Sequence, residues 1–165
     1  MQVRSESRRA LLDRLVERDL PDGAGLEAWT SLLTAHATLM RQMEMDLERE
    51  ANLALADFDV LAQLAMADGS LRMTDLAAKA LISRSGMTRR VARLTEEGLV
   101  SRASTDGDGR GVMVELTDAG AARLEEAAPI HLRAIAQLFI AKLDERELQV
   151  LVSALDKVRV DCTFG

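Results

Sequence analysis

Residues 83–117 decide the reading. They run Ser83-Arg84-Ser85-Gly86-Met87-Thr88-Arg89-Arg90-Val91-Ala92-Arg93-Leu94, then Glu96-Glu97-Gly98-Leu99-Val100, then a glycine- and aspartate-rich loop that closes at Val112-Met113-Val114-Glu115-Leu116-Thr117. The pattern predicts a basic helix followed by a two-stranded hairpin. Met87, Val91 and Leu94 recur at spacings of four and three and share one helix face, whereas Ser85, Arg89 and Arg93 project from the opposite side. Four arginines fall within residues 84–93, with no acid among them. In a chain of net charge −6, such a face calls for an anionic partner, and double-stranded DNA is the first candidate.

The charge is local. Residues 71–117 hold eight basic side chains against six acidic ones, a net of +2, which leaves −8 for the rest of the chain. An acidic total does not exclude DNA binding, because one face makes the contacts and salt screens most of the field beyond about 10 Å at 0.1 M. Taken alone, the arginines could equally form a solvated helix face.

The flanking segments add to the first reading. Leu71-Arg72-Met73-Thr74-Asp75-Leu76-Ala77-Ala78-Lys79-Ala80-Leu81 reads as a short helix capped by Thr74, and Ile82-Ser83 as a tight connection into the basic helix. That is helix-turn-helix order, in which the second helix enters the major groove with its N-terminal residues nearest the bases. Ser85, Thr88 and Arg89 are placed to reach base edges, and Arg84, Arg90 and Arg93 to hold phosphates or flank the groove. Arg90 falls toward the edge of the packing face, where a structural role is equally open. Leu99-Val100-Ser101-Arg102 reads as one strand and residues 111–116 as the other, with 103–110 as a projecting loop. Arg110 could enter a minor groove, with Asp108 holding it by a salt bridge; a plain hairpin turn is the alternative.

An ordered set of motifs now stands together: Asp57-Phe58-Asp59-Val60-Leu61, Leu71 to Ala77, Ser83 to Arg89, Gly98-Leu99-Val100, Asp108-Gly109-Arg110 and Leu116-Thr117-Asp118-Ala119-Gly120. The set resembles the multiple antibiotic resistance regulator (MarR) family of winged helix-turn-helix transcriptional regulators, over residues 26–159. The resemblance implies a mainly α fold with a small β-hairpin wing, flanked by long N- and C-terminal dimerisation helices. It also implies a homodimer on a palindromic operator, usually a repressor relieved by a small ligand or an oxidant. The family's wing pattern falls on Asp108 and Arg110, and its recognition helix on residues 83–93. The wing departs from the family: Asp106-Gly107-Asp108-Gly109 is more acidic and glycine-rich than its usual arginine-containing turn.

The remaining segments are helical. Leu26, Trp29, Leu33, His36, Met40, Met43 and Leu47 alternate spacings of three and four over about 25 residues, a seam for a partner helix. Thr117-Asp118 opens a second long helix through Leu138 and Phe139, with a kink expected at Pro129. Asp144-Glu145-Arg146-Glu147 has a variant of the capping box and leads into Leu148, Leu151, Leu155 and Val158 on one side. These helices could pack on one another within one chain; the resemblance implies packing between chains. Residues 3–20 read as an additional amphipathic helix ended by Pro21-Asp22-Gly23-Ala24-Gly25. The expected organisation is an N-terminal extension at 1–25, a dimerisation helix at 26–53, the DNA-binding domain at 54–117 and C-terminal dimerisation helices at 118–165. No segment reads as a signal peptide or a bilayer span, so the expectation is a cytoplasmic protein with no membrane partner.

Catalysis has little to stand on: His36 and His131 fall on different helices, and no glycine loop with lysine offers a phosphate site. Neither an enzyme nor a cofactor is expected. Two histidines without a cluster of further ligands give no metal site. Cys162 is the sole cysteine and cannot form an intrachain disulfide. The resemblance places an effector pocket between the dimer helices and the DNA-binding domain. There Trp29, His36, Met40, Met43, Phe58, Met66 and His131 are the candidates to meet a small aromatic or acidic effector. Met and Trp at seam spacing also suit plain core packing. The reading from another class is a winged-helix module that offers its basic face to an acidic protein partner.

Overall fold

The structure is a computed structural model that describes residues 8–20, 23–80, 82–104 and 111–161. Its helices are α1 (Arg8–Asp19), α2 (Gly23–Ala51), α3 (Leu55–Met66), α4 (Met73–Lys79), α5 (Arg84–Glu96), α6 (Asp118–Leu138) and α7 (Glu145–Asp161), with a 3-10 turn at Ile140–Lys142. Strands β1 (Ser70–Arg72), β2 (Val100–Ser104) and β3 (Val112–Leu116) form an antiparallel sheet of order β1-β3-β2. This is the mainly helical winged helix-turn-helix that the sequence predicts. Among the described residues, no helix is long and apolar enough to cross a membrane.

The chain divides after Met40 into two compact units. The first holds α1 and the opening part of α2, on which Trp29, Leu32 and Leu33 are exposed. Helix α2 starts at Gly23, so Gly23, Ala24 and Gly25 belong to it and not to the preceding turn.

The second unit is built around the apolar face of α5. Met87, Val91 and Leu94, the residues that the four-three spacing selects, are fully buried against Val60, Leu61 and Leu64 of α3, Leu76 and Ala77 of α4, Val100 and Val114. Helix α5 starts where Ser83 caps it, its Oγ accepting from the Gly86 N–H at 3.2 Å. It ends just before Gly98, whose φ of 75° suits a residue without Cβ.

Three local expectations need correction. Helix α4 begins at Met73 with Arg72 as its N-cap residue, so Thr74 does not cap it; the Thr74 hydroxyl donates to Asp75 at 3.3 Å. Leu71 and Arg72 are not helical but pair with Val114 and Met113, which turns the expected two-stranded hairpin into a three-stranded sheet. A strand of three residues is too short to show alternation, and its ladder with β3 defines it. The strand β2 takes Ala103 and Ser104 from the predicted loop and leaves Leu99 outside, while β3 starts at Val112.

The flanking helices start as expected. Thr117 caps α6, accepting from the Gly120 N–H at 3.0 Å while its hydroxyl donates to the turn after α5, 2.7 Å from the Gly98 carbonyl. Gly120 is needed there, because a Cβ would overlap the Leu99 carbonyl oxygen. Helix α6 continues through Pro129 and stops at Leu138, one residue before the expected end. At α7, Asp144 Oδ1 accepts from the Glu147 N–H and Glu147 Oε2 accepts from the Asp144 N–H, both at 2.8 Å, a reciprocal capping box.

Candidate nucleic-acid interface

With three apolar residues of α5 in the core, geometry turns Arg84, Ser85, Thr88 and Arg89 outward, and all four are exposed. The guanidinium groups of Arg84 and Arg89 have no partner among the described residues. The Thr88 hydroxyl donates back to the Arg84 carbonyl at 2.9 Å, and its oxygen can still accept a hydrogen bond. Ser85 Oγ lies 3.4 Å from Ser83 Oγ. The N-terminal half of α5 therefore offers two free cations and two short polar side chains. That set can accept phosphate oxygens or read base edges.

Arg90 and Arg93 meet a different fate. Arg90 Nη1 donates to Asp57 Oδ1 at 2.5 Å, and Arg93 Nη2 to both Asp57 oxygens at 2.5 Å. Asp57, in the first turn of α3, is 1 % exposed. The hydrogen bond that it donates to Asp57 holds the Arg93 guanidinium above its ordinary range, against the opposing effect of burial; the Asp57 and Glu97 charges add to the rise. Arg93 also reaches Glu97 at 3.3 Å. The long Arg93 side chain thus folds back to a carboxylate that has left water and must be paired. Arg90 is half-buried, and its buried Nε has no partner among the described residues.

Asp57 is the residue that reading for basic side chains missed. Its signal was an acid inside the apolar run from Leu55 to Leu61. Arg102 pairs with Val114 on the sheet face that also carries Val100, yet it is exposed. Asp108 and Arg110 of the wing, like Cys162, lie outside the described residues.

The effector candidates fall in both units. In the first unit Trp29 and His36 are exposed and Met40 is half-buried. In the second, Met43 and Phe58 are core residues, and Met66 is 73 % exposed at the far end of α3, eight residues or about 12 Å along the axis from Phe58. The structure does not bring Met66 to Phe58. It does bring His131 there, with ring centroids 4.5 Å apart and planes tilted by 38°. Burial pushes the His131 imidazole below its ordinary range, the Asp59 carboxylate partly opposing, and its buried Nδ1 has no partner among the described residues. A groove of about 310 Å³ between α2 and α6 contains none of the candidates. Its charges are satisfied: Arg49 pairs with Asp46 and Glu50 at 2.8 Å, and Arg133 pairs with Glu50.

Comparison with known proteins agrees with this geometry. The model of the MarR family matches residues 51–111. An uncharacterized HTH-type transcriptional regulator of Bacillus cereus (strain ZK / E33L) is 32 % identical over 117 residues, covering 71 % of this chain and 77 % of the relative. Among solved structures, the MarR family regulator AbsC of Streptomyces coelicolor superposes with a TM-score of 0.78 at 29 % identity, over 84 % of this chain and 93 % of that one. Sco3205 of the same organism, a MarR family regulator solved in complex with DNA, gives 0.78 at 31 % identity, over 84 % and 90 %. The core, the capped basic helix and these likenesses agree: the chain belongs to the MarR family of transcriptional regulators.

Proposed function

We propose that this protein binds a palindromic operator in double-stranded DNA as a homodimer, one α5 in the major groove of each half-site, and represses transcription until a small aromatic or acidic effector lowers its affinity. The observation that carries the reading is the division of α5 into a fully buried apolar face and an exposed face of Arg84, Ser85, Thr88 and Arg89. Arg89 and Ser85 contact bases, Arg84 a phosphate, and Arg110 the adjacent minor groove, with Asp108 holding it. Support for a second copy comes from apolar side chains that one chain leaves in water, including Val150, Val152 and Val158 on α7. Support for an effector comes from the aromatic contact of Phe58 with His131 and the unpartnered imidazole nitrogen. A regulator of transcription works where the chromosome is, so the reading includes a cytoplasmic location and assigns no catalysed reaction.

Titration of a selected operator tests it. Arg89→Ala should cost about 1–3 kcal/mol, roughly five- to 150-fold, and relax preference at one base pair per half-site. Arg84→Ala should weaken all duplexes alike and make the salt dependence shallower by about one contact. Unchanged operator affinity in Arg89→Ala would contradict the assignment.

A further inference from the structure

Four arginines stand on α5, and two of them, Arg90 and Arg93, pair with the Asp57 carboxylate. We propose that Asp57 is a positioning residue that keeps Arg90 and Arg93 off the phosphodiester backbone, so that α5 meets DNA with two free guanidinium groups instead of four. The inference deepens the DNA-binding reading and rests on it. Three observations carry it. The carboxylate is 1 % exposed and takes 2.5 Å hydrogen bonds from both arginines. Both donors come from α5, 33 and 36 residues away in sequence, so the contact joins two packed elements. And the Arg93 side chain is still 48 % exposed, so it is within reach of a phosphate once the carboxylate no longer holds it.

The first turn of α3 is itself held from behind: the Leu55 N–H donates to Glu44 Oε2 of α2 at 3.0 Å. The Asp57 carboxylate is thus fixed in place and competes with phosphate for the same two cations. An intramolecular anion that is always present excludes a phosphate that must be brought in by binding. Phosphate contacts carry no sequence information. Withholding two of them lowers affinity for any duplex and leaves discrimination to the N-terminal half of α5.

The test uses the full chain and a scrambled duplex, on which only charge is read. The slope of log K against log salt should steepen by about 0.9 for each guanidinium released in Asp57→Asn, which at 0.1 M salt is about eightfold tighter binding per contact. Arg93→Gln alone should leave the wild-type slope unchanged, and Asp57→Asn with Arg93→Gln should return about 0.9 of the added slope. Elution from heparin should move to higher salt for Asp57→Asn. A shallower slope in Arg93→Gln alone would place that arginine on phosphate in the wild type and overturn the proposal, as would a folded Asp57→Asn protein with an unaltered slope and elution. Should Asp57→Asn not fold, Arg93→Gln decides the matter. Because scrambled DNA and heparin need no operator, failure here leaves operator recognition standing, and failure to select an operator leaves this result readable.

Discussion

Arg89 and Arg93 stand one helical turn apart on α5, yet the first has no partner among the described residues and the second is held by a buried carboxylate. Spacing assigns both to the same face; the length of the arginine side chain and the location of Asp57 separate them. Helical periodicity locates Cβ atoms and says nothing of where four further bonds lead. His131 shows the same limit, because its approach to Phe58 joins residues 73 positions apart. Its burial has a consequence for pH. The folded-state pKa lies below the ordinary value of about 6.5, so the unfolded chain binds the proton more readily. The stability that the neutral imidazole contributes is present above that value and is lost as pH falls through the lowered folded-state pKa. Melting temperatures at pH 7.5 and 5.5 should fall further for the wild type than for His131→Gln. An equal fall in both would remove His131 as the cause.

At the scale of elements, the helices were legible wherever a cap and a period coincide. Ser83, Thr117 and Asp144 each accept from the backbone N–H three residues on, and the helices α5, α6 and α7 follow as the sequence predicts. Reading failed where pairing partners were distant. Leu71 and Arg72 become a strand only because β3, more than forty residues on, offers them a ladder, and that ladder also makes Thr74 an interior helical residue instead of a cap. Thr117 ties α6 to the turn after α5 as well as capping it. Thr117→Ala should therefore cost about 1–2 kcal/mol in chemical denaturation, toward the upper end of the range for an N-cap. A loss below about 0.3 kcal/mol would show that the tie contributes nothing.

For the whole molecule, one chain leaves a substantial apolar surface in water. Trp29, Leu32 and Leu33 on α2 and Val150, Val152, Leu155 and Val158 on α7 are all exposed. The seam spacing of three and four in α2 was visible in the sequence; which surfaces a single chain leaves uncovered was not, because that depends on tertiary packing. If a second copy covers α7, Leu155→Asp should shift the protein from dimer to monomer in sedimentation at micromolar concentration and weaken operator binding with it. A dimer of wild-type strength in that variant would move the interface elsewhere.

On the proposed function, the exposed half of α5 discriminates one DNA sequence from another. The measurement that tests it most directly is selection of random duplexes by the purified protein, followed by titration of the enriched sequence against a scrambled one at several salt concentrations. The expected result is an inverted repeat with half-sites about one helical turn apart, bound tighter than scrambled DNA by about 10³ or more. Weak binding that fades with salt and ignores sequence would contradict it, leaving α5 a merely electrostatic surface.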